Sequence, residues 1–170
     1  MGDAGLFADE RVELLDGTIV NMAPQSSPHA STVTRLHRAL MRAIGDTTHL
    51  RTQLPIVLDD WSEPEPDVAV CKLDPYDYAR AHPHAADLLL VCEVAEGSLA
   101  YDRGAKAAAY AASGIPEYWI IDLESRTIEV RSDPDPAGRR YRRDAVVREV
   151  ETLTAPGGAL ITAADVLPLL

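Results

Sequence analysis

Two carboxylates lie in apolar segments where a purely structural core would not tolerate them. Asp67 follows Pro66 and opens the run Val68–Cys71, and Glu93 lies inside Leu88–Val94, the most apolar run of the chain. Burying a carboxylate there costs several kcal/mol unless the charge is paired or bound to a cation. Each residue alone has a plainer interpretation. Glu93 could pair with an arginine at the end of its strand, and Pro-Asp is common in turns.

Taken together, the two carboxylates predict a metal site with oxygen ligands. Their segments are short strands separated by a surface excursion at 73–86, so we expect antiparallel neighbours. If Asp67 and Glu93 lie opposite each other, both project from one face of the sheet. Two carboxylates with a nearby backbone carbonyl suit Mg²⁺ or Mn²⁺. The same alternation places Cys71 on the face of Asp67 and Cys92 on the face opposite Glu93, which argues against a disulfide.

Lys106 is the third candidate for the site. Lysine occurs only twice in the chain, and Lys106 follows Glu93 within an alanine-rich helix predicted over Tyr101–Ser113. Its spacing of four from Asp102 and Tyr110 places the three residues on one helix face. This face would aim the ammonium at a metal-bound water or a phosphate. The alternative is an ordinary surface ion pair between Asp102 and Lys106.

Composition and charge exclude several classes of protein. The chain has 170 residues, 46% of them hydrophobic, so it can bury a substantial core. No apolar run is long enough to cross a membrane, and residues 1–10 lack the features of a secretory signal, so we expect a cytoplasmic protein. We predict a flexible segment at 1–10 and a single domain over 11–170.

The net charge of −11, from 16 basic and 27 acidic residues, argues against a non-specific nucleic-acid binder. It does not argue against an enzyme that meets nucleic acid through metal ions. The five histidines show no zinc spacing and no catalytic partner.

The periodicity of the sequence predicts an α/β fold with an N-terminal β-hairpin. Asp16-Gly17 is a strong two-residue turn signal within 13–22. Helices and strands then alternate, which favours a mixed β-sheet flanked by helices. We predict strands at 49–58, 67–71, 87–95, 117–122, 127–131 and 141–149, helices at 29–44 and 101–113, and a short C-terminal helix starting near Thr162.

These motifs resemble the Uma2 family of predicted bacterial endonucleases, which belongs to the PD-(D/E)XK, restriction-endonuclease-like superfamily. The resemblance covers roughly residues 11 to 165. It rests on Glu13-Leu-Leu-Asp-Gly17, Pro64-Glu-Pro-Asp-Val-Ala-Val70, Val91-Cys-Glu-Val94, Tyr101-Asp-Arg-Gly-Ala-Lys106 with Tyr110, and Gly114-Ile-Pro-Glu-Tyr-Trp-Ile-Ile-Asp122.

The resemblance implies a restriction-endonuclease-like fold and specific roles for site residues. Asp67 and Glu93 would be acidic ligands of Mg²⁺ or Mn²⁺, together with the carbonyl of Val94. The lysine of this superfamily normally stands two residues after the second acid, where this chain has Ala95. Lys106 would then supply the amine from the following helix.

The resemblance and the charge pattern add four residues to the site. Glu13 resembles the additional N-terminal acid found at such sites and would be catalytic. Gln53, Tyr110 and Arg140 are candidates for substrate binding. Arg140 belongs to the densest basic patch of the chain, which could instead be a solvated hairpin.

The sequence therefore predicts a metal-dependent endonuclease that hydrolyses phosphodiester bonds of nucleic acid, with DNA favoured. We expect a homodimer, because enzymes of this superfamily often cut two strands, and no membrane partner. The net charge and Ala95 favour an alternative, a catalytically inactive binding or assembly module on the same fold. A metal-dependent hydrolase acting on another substrate is a third interpretation.

Overall fold

A six-stranded mixed β-sheet forms the centre of the protein. The computed structural model describes residues 11–169, so the segment predicted to be flexible, 1–10, lies outside the described residues. The strands are β1 (Val12–Leu15), β2 (Thr18–Asn21), β3 (His49–Thr52), β4 (Val68–Cys71), β5 (Leu88–Ala95), β6 (Glu117–Asp122), β7 (Thr127–Asp135), β8 (Arg140–Arg148), β9 (Thr152–Thr154) and β10 (Leu160–Thr162). The central sheet has the order β3-β4-β5-β6-β7-β8, and only β5 and β6 pair in parallel. The predicted mixed sheet is confirmed.

The N-terminal hairpin forms as its turn residues require. Asp16 and Gly17 have φ angles of 47° and 74°, the left-handed conformation that a two-residue hairpin turn needs at both positions. β1 and β2 pair in antiparallel register with Glu13 opposite Val20. A backbone hydrogen bond from Glu63 N–H to the Leu14 carbonyl, 2.8 Å long, holds the hairpin against the segment before β4.

Helix α1 (Ser27–Ile44) covers one face of the central sheet. Ser26 caps its N-terminus by accepting a hydrogen bond from the His29 N–H, and Gly45, with φ of 54°, ends it. Its apolar stripe packs on the side chains of β4 and β5 that point to this face. The buried stripe comprises Val33, Leu36, Ala39, Leu40 and Ile44.

A second helical segment covers the opposite face and differs from the single helix predicted. It consists of α2 (Leu99–Tyr101), a π-helical turn (Asp102–Lys106) and α3 (Ala107–Ala112). Its alanines and Tyr110 pack against Val91 and Ala95 of β5, so the sheet lies between two helical layers. No helix within residues 11–169 is both long and apolar enough to span a membrane.

Several predicted boundaries are wrong. β3 ends at Thr52 rather than residue 58, because Gln53 adopts a φ of 53° and Pro55 has no N–H to donate. β7 extends to Asp135 rather than residue 131, and β8 is shifted by one residue towards the N-terminus. The β9–β10 hairpin was not anticipated from the sequence, and the C-terminal helix α4 (Ala163–Val166) is a single turn.

Replacing Leu36, a fully buried residue on the apolar stripe of α1, tests this core. We expect Leu36→Ala to lower the free energy of unfolding by about 2–5 kcal/mol, because it leaves a cavity between α1 and the sheet. Urea denaturation measures the loss. Thr34→Ala, on the exposed side of the same helix, is the control, and an equal loss in both variants would contradict the packing described.

Candidate active site

The register of β4 and β5 brings the two predicted carboxylates together. Val68 lies opposite Cys92, so the next position on each chain places Asp67 opposite Glu93. The Val94 N–H donates a 2.8 Å hydrogen bond to Asp67 Oδ2 across this pair. Both carboxylates line a cleft of about 240 Å³ at the end of the sheet, together with Lys106. The predicted antiparallel pairing is confirmed, and Cys71 and Cys92 are buried free thiols.

Lys106 pairs with two carboxylates below the surface of the cleft. Its Nζ lies 2.8 Å from Glu93 Oε1 and 3.2 Å from Glu13 Oε2. The three residues are 4–5% exposed. Two plainer interpretations are therefore wrong. Glu93 pairs with a lysine rather than an arginine, and Asp102 accepts a hydrogen bond from Ser98 Oγ instead of forming a surface ion pair with Lys106.

Burial and charge act in opposite directions on this cluster. Burial raises the pKa of Glu93 to about 8, although the Lys106 charge opposes this shift. Burial alone would lower the pKa of Lys106, but the charges of Glu93 and Glu13 outweigh it and the pKa is raised. Lys106 is therefore an ammonium at neutral pH. It can donate hydrogen bonds and stabilise negative charge, but it has no free lone pair to accept a proton.

The helix that carries Lys106 reaches the site because two local features allow it. Ala95, two residues after Glu93 on the same strand, is 2% exposed and packs in the cluster that contains Ala107. A longer side chain there would meet the helix. The π-helical turn widens the helix at Asp102–Lys106, and such turns often occur at functional sites.

Asp67 is held by three donors. Gln53 Nε2 donates to Oδ1 at 3.2 Å, and His29 Nε2 lies 3.1 Å from Oδ2, which also accepts the Val94 N–H. Burial would raise the pKa of Asp67, but these donors, with His29 the strongest, lower it below its ordinary value. The carboxylate therefore stays ionised.

His29 is a site residue that sequence reasoning missed. Burial would lower its pKa, but the hydrogen bond and charge of Asp67 outweigh this, so the pKa of His29 is raised. One feature of the sequence could have indicated that His29 faces the interior. It stands one helical turn before Val33, on the same face as the buried stripe of α1. Its partner Asp67, in contrast, is distant in sequence.

Two candidates for substrate binding do not lie where the prediction placed them. Tyr110 is fully buried, and its hydroxyl donates to Glu93 Oε1 at 2.7 Å. It therefore positions Glu93 from behind and cannot reach a substrate in the cleft. Arg140 is exposed at the start of β8, with its Nε 3.5 Å from Asp135 Oδ2, and it is outside the cleft lining. Gln53, the third candidate, is also outside the cleft lining, and its side-chain amide donates a hydrogen bond to Asp67.

The donor set fits a hard divalent cation with few protein ligands. Within residues 11–169, no three His, Cys, Asp or Glu side chains converge into a ready-made metal cluster. Mg²⁺ is commonly held by only one or two carboxylates, with water and phosphate oxygens completing its shell. Asp67 is ionised, and the hydrogen bonds that Glu93 accepts from the described residues all end on Oε1.

Comparisons with known proteins point to one family. A sequence model of the Uma2 family, described as "Putative restriction endonuclease", matches residues 6–164. The crystal structure of "a putative nuclease belonging to DUF820" from Anabaena variabilis is similar, with a TM-score of 0.70 and 12% sequence identity over 94% of this chain and 91% of that chain. At this identity the similarity shows a shared fold, and it confirms the restriction-endonuclease-like architecture. The search of curated proteins found no match.

Removing the buried ammonium tests the charge cluster. We expect Lys106→Met to lower the free energy of unfolding by about 3–5 kcal/mol at pH 8, because two carboxylates lose their partner. The loss should be smaller at pH 5. The Lys106 charge opposes the rise in the Glu93 pKa, so its removal lets burial raise that pKa further. As the pH falls towards the ordinary 4.5, the buried Glu93 carboxyl of the variant becomes neutral, and the variant regains stability that the original protein had not lost.

Urea denaturation in EDTA at both pH values measures this difference. Lys72→Met is the matched control, because Lys72 is the only other lysine and is exposed. A loss at pH 5 equal to that at pH 8 would contradict the pairing of Lys106 with ionised carboxylates.

Proposed function

We propose a function from the family to which this chain belongs, the Uma2 family. The protein is a cytoplasmic, metal-dependent endonuclease that hydrolyses phosphodiester bonds of nucleic acid, with DNA as the substrate. The family and the nuclease-like fold support the reaction class. The observation that carries the proposal is the ammonium of Lys106, 2.8 Å from Glu93, in a cleft that Asp67 also lines.

The charge of the cleft explains why a cation is needed. Its lining contains more acidic than basic side chains, so by itself it would repel a phosphodiester. The acidic members are Glu13, Glu65, Asp67, Glu93, Glu96 and Asp102, and the basic ones are Arg11, His29 and Lys106. A divalent cation held by Asp67, Glu93 and the Val94 carbonyl would neutralise the phosphate and lower the pKa of a bound water.

Four residues of the chain stabilise the reacting phosphate or position the groups that do so. Lys106, kept charged by its neighbours, donates hydrogen bonds to the attacking water or to the phosphate oxygens, where negative charge develops during hydrolysis. Glu13 fixes the position of the ammonium from the hairpin. Tyr110 fixes Glu93, and Gln53 orients Asp67. These supporting contacts keep the reactive groups in place before the substrate arrives.

The alternative of an inactive module rested on Ala95 and on the acidic charge. We propose that Lys106 supplies the amine in place of a lysine at position 95, as its 2.8 Å contact with Glu93 allows, and a bound cation would compensate for the acidic lining. Both points favour the enzyme. We also propose a homodimer, which would supply two clefts for cutting two strands. Size-exclusion chromatography with light scattering should give twice the chain mass of 18.4 kDa.

A plasmid-nicking assay tests the proposed activity. We expect supercoiled DNA to be nicked in Mn²⁺ or Mg²⁺ and to stay intact in EDTA. Asp67→Asn, Glu93→Gln and Lys106→Met should each lower the rate at least about 100-fold. The first two remove a carboxylate that holds the cation, and the third removes the positive charge that stabilises the reacting phosphate.

Lys72→Met and Arg140→Gln are the controls, since both residues lie outside the cleft lining. They should keep the rate within about threefold of the original protein, the range expected of surface changes. Nicking that persists in Asp67→Asn would point to a contaminating nuclease. A folded protein that neither binds Mn²⁺ nor cuts would support the inactive module.

A further inference from the structure

His29 enters the cleft from the first turn of α1. Its backbone N–H is bound to the Ser26 cap, and its side chain, 13% exposed, lines the same cleft as Asp67, Glu93 and Val94. The ring Nε2 lies 3.1 Å from Asp67 Oδ2. The ring Nδ1 is buried and makes no hydrogen bond with residues 11–169. The contact that holds the His29 ring is therefore to Asp67 Oδ2, an oxygen of the carboxylate proposed to bind the cation.

We propose that His29 is a nitrogen ligand of the divalent cation that Asp67 holds. The inference rests on the proposed function and adds a residue to its metal site. Adjacent ligands of an octahedral ion, each ~2.1 Å from the metal, lie ~3.0 Å apart. The separation of 3.1 Å between His29 Nε2 and Asp67 Oδ2 fits this edge, so one ion can bind both atoms once the ring has turned its Nε2 lone pair from the carboxylate towards the ion.

Metal binding would exchange one proton for the ion. The proton between Nε2 and Oδ2 passes to solvent, while the ring keeps a proton on Nδ1, is then neutral and can direct its Nε2 lone pair at the ion. The site gains one net positive charge, because a divalent cation enters as one proton leaves. The Val94 N–H continues to hold Asp67 in place.

A nitrogen ligand gives the site a preference among metals. Imidazole suits Ni²⁺ and Fe²⁺ better than Mg²⁺, which prefers oxygen ligands. His29 would therefore raise the affinity for Ni²⁺ relative to Mg²⁺ more than a site built from Asp67, Glu93 and a carbonyl alone would.

Pulsed electron paramagnetic resonance of bound Mn²⁺ detects a coordinated nitrogen directly. We expect the full-length protein with Mn²⁺ to show electron-spin-echo modulation from ¹⁴N, and this modulation should change to that of ¹⁵N when the protein is grown with [¹⁵N]histidine. This comparison needs no substitution. Among the histidines of the described part of the chain, only His29 lines the cleft.

The variant His29→Gln assigns the signal. Glutamine can still donate a hydrogen bond to Asp67 but is a poor metal ligand, so the nitrogen modulation should disappear. Calorimetry should show Ni²⁺ affinity about tenfold lower and Mg²⁺ affinity changed by less than about threefold. His37→Gln is the matched control, because His37 lies on the same helix and contacts Thr52 outside the cleft.

The outcomes separate this inference from the proposed function. Mn²⁺ that binds without nitrogen modulation, or modulation that survives in His29→Gln, would overturn the assignment of His29 and leave the nuclease proposal intact. A protein that binds no Mn²⁺ at all would overturn both.

Discussion

The buried ion cluster of Lys106 with Glu93 and Glu13 is the constraint on which the rest of the structure depends. An ammonium and two carboxylates at 2.8 and 3.2 Å, almost shielded from water, are stable only as a set, because removing one member leaves an uncompensated buried charge. The cluster joins the N-terminal hairpin, the central strand β5 and the π-helical turn. Since the same contacts arrange the cleft, the fold and the candidate site depend on one interaction.

Asp67 and Glu93, which line the same cleft, lie in environments that shift their pKa values in opposite directions. Asp67 is kept ionised by directed donors from α1, from the backbone of β5 and from Gln53, whereas burial pushes Glu93 towards its neutral form. Two adjacent carboxylates thus have opposite protonation tendencies. A pair whose environments separate their pKa values in this way is typical of sites that bind cations and move protons.

Prediction succeeded where a local pattern carried the information. The Asp-Gly turn, the period of α1 and the alternation along β4 and β5 each depend on near neighbours, and they placed Asp67 opposite Glu93. The resemblance to the Uma2 family supplied Glu13, which nothing in its own segment marks as functional. Tyr110 shows the limit of this reasoning. Its helical spacing was correct, but only packing shows that its hydroxyl supports Glu93 from behind.

The sequence by itself determined the N-terminal hairpin, helix α1, the strands β4, β5 and β6 and which carboxylates lie at strand ends, because these features follow from backbone preference and side-chain period. Only the tertiary structure decided the partners. Lys106 pairs with Glu93 and Glu13 instead of Asp102, and His29 meets Asp67. Such contacts depend on how a helix docks on the sheet and on a single π-helical turn. Periodicity along the chain gives no information on them, because the partners are distant in sequence.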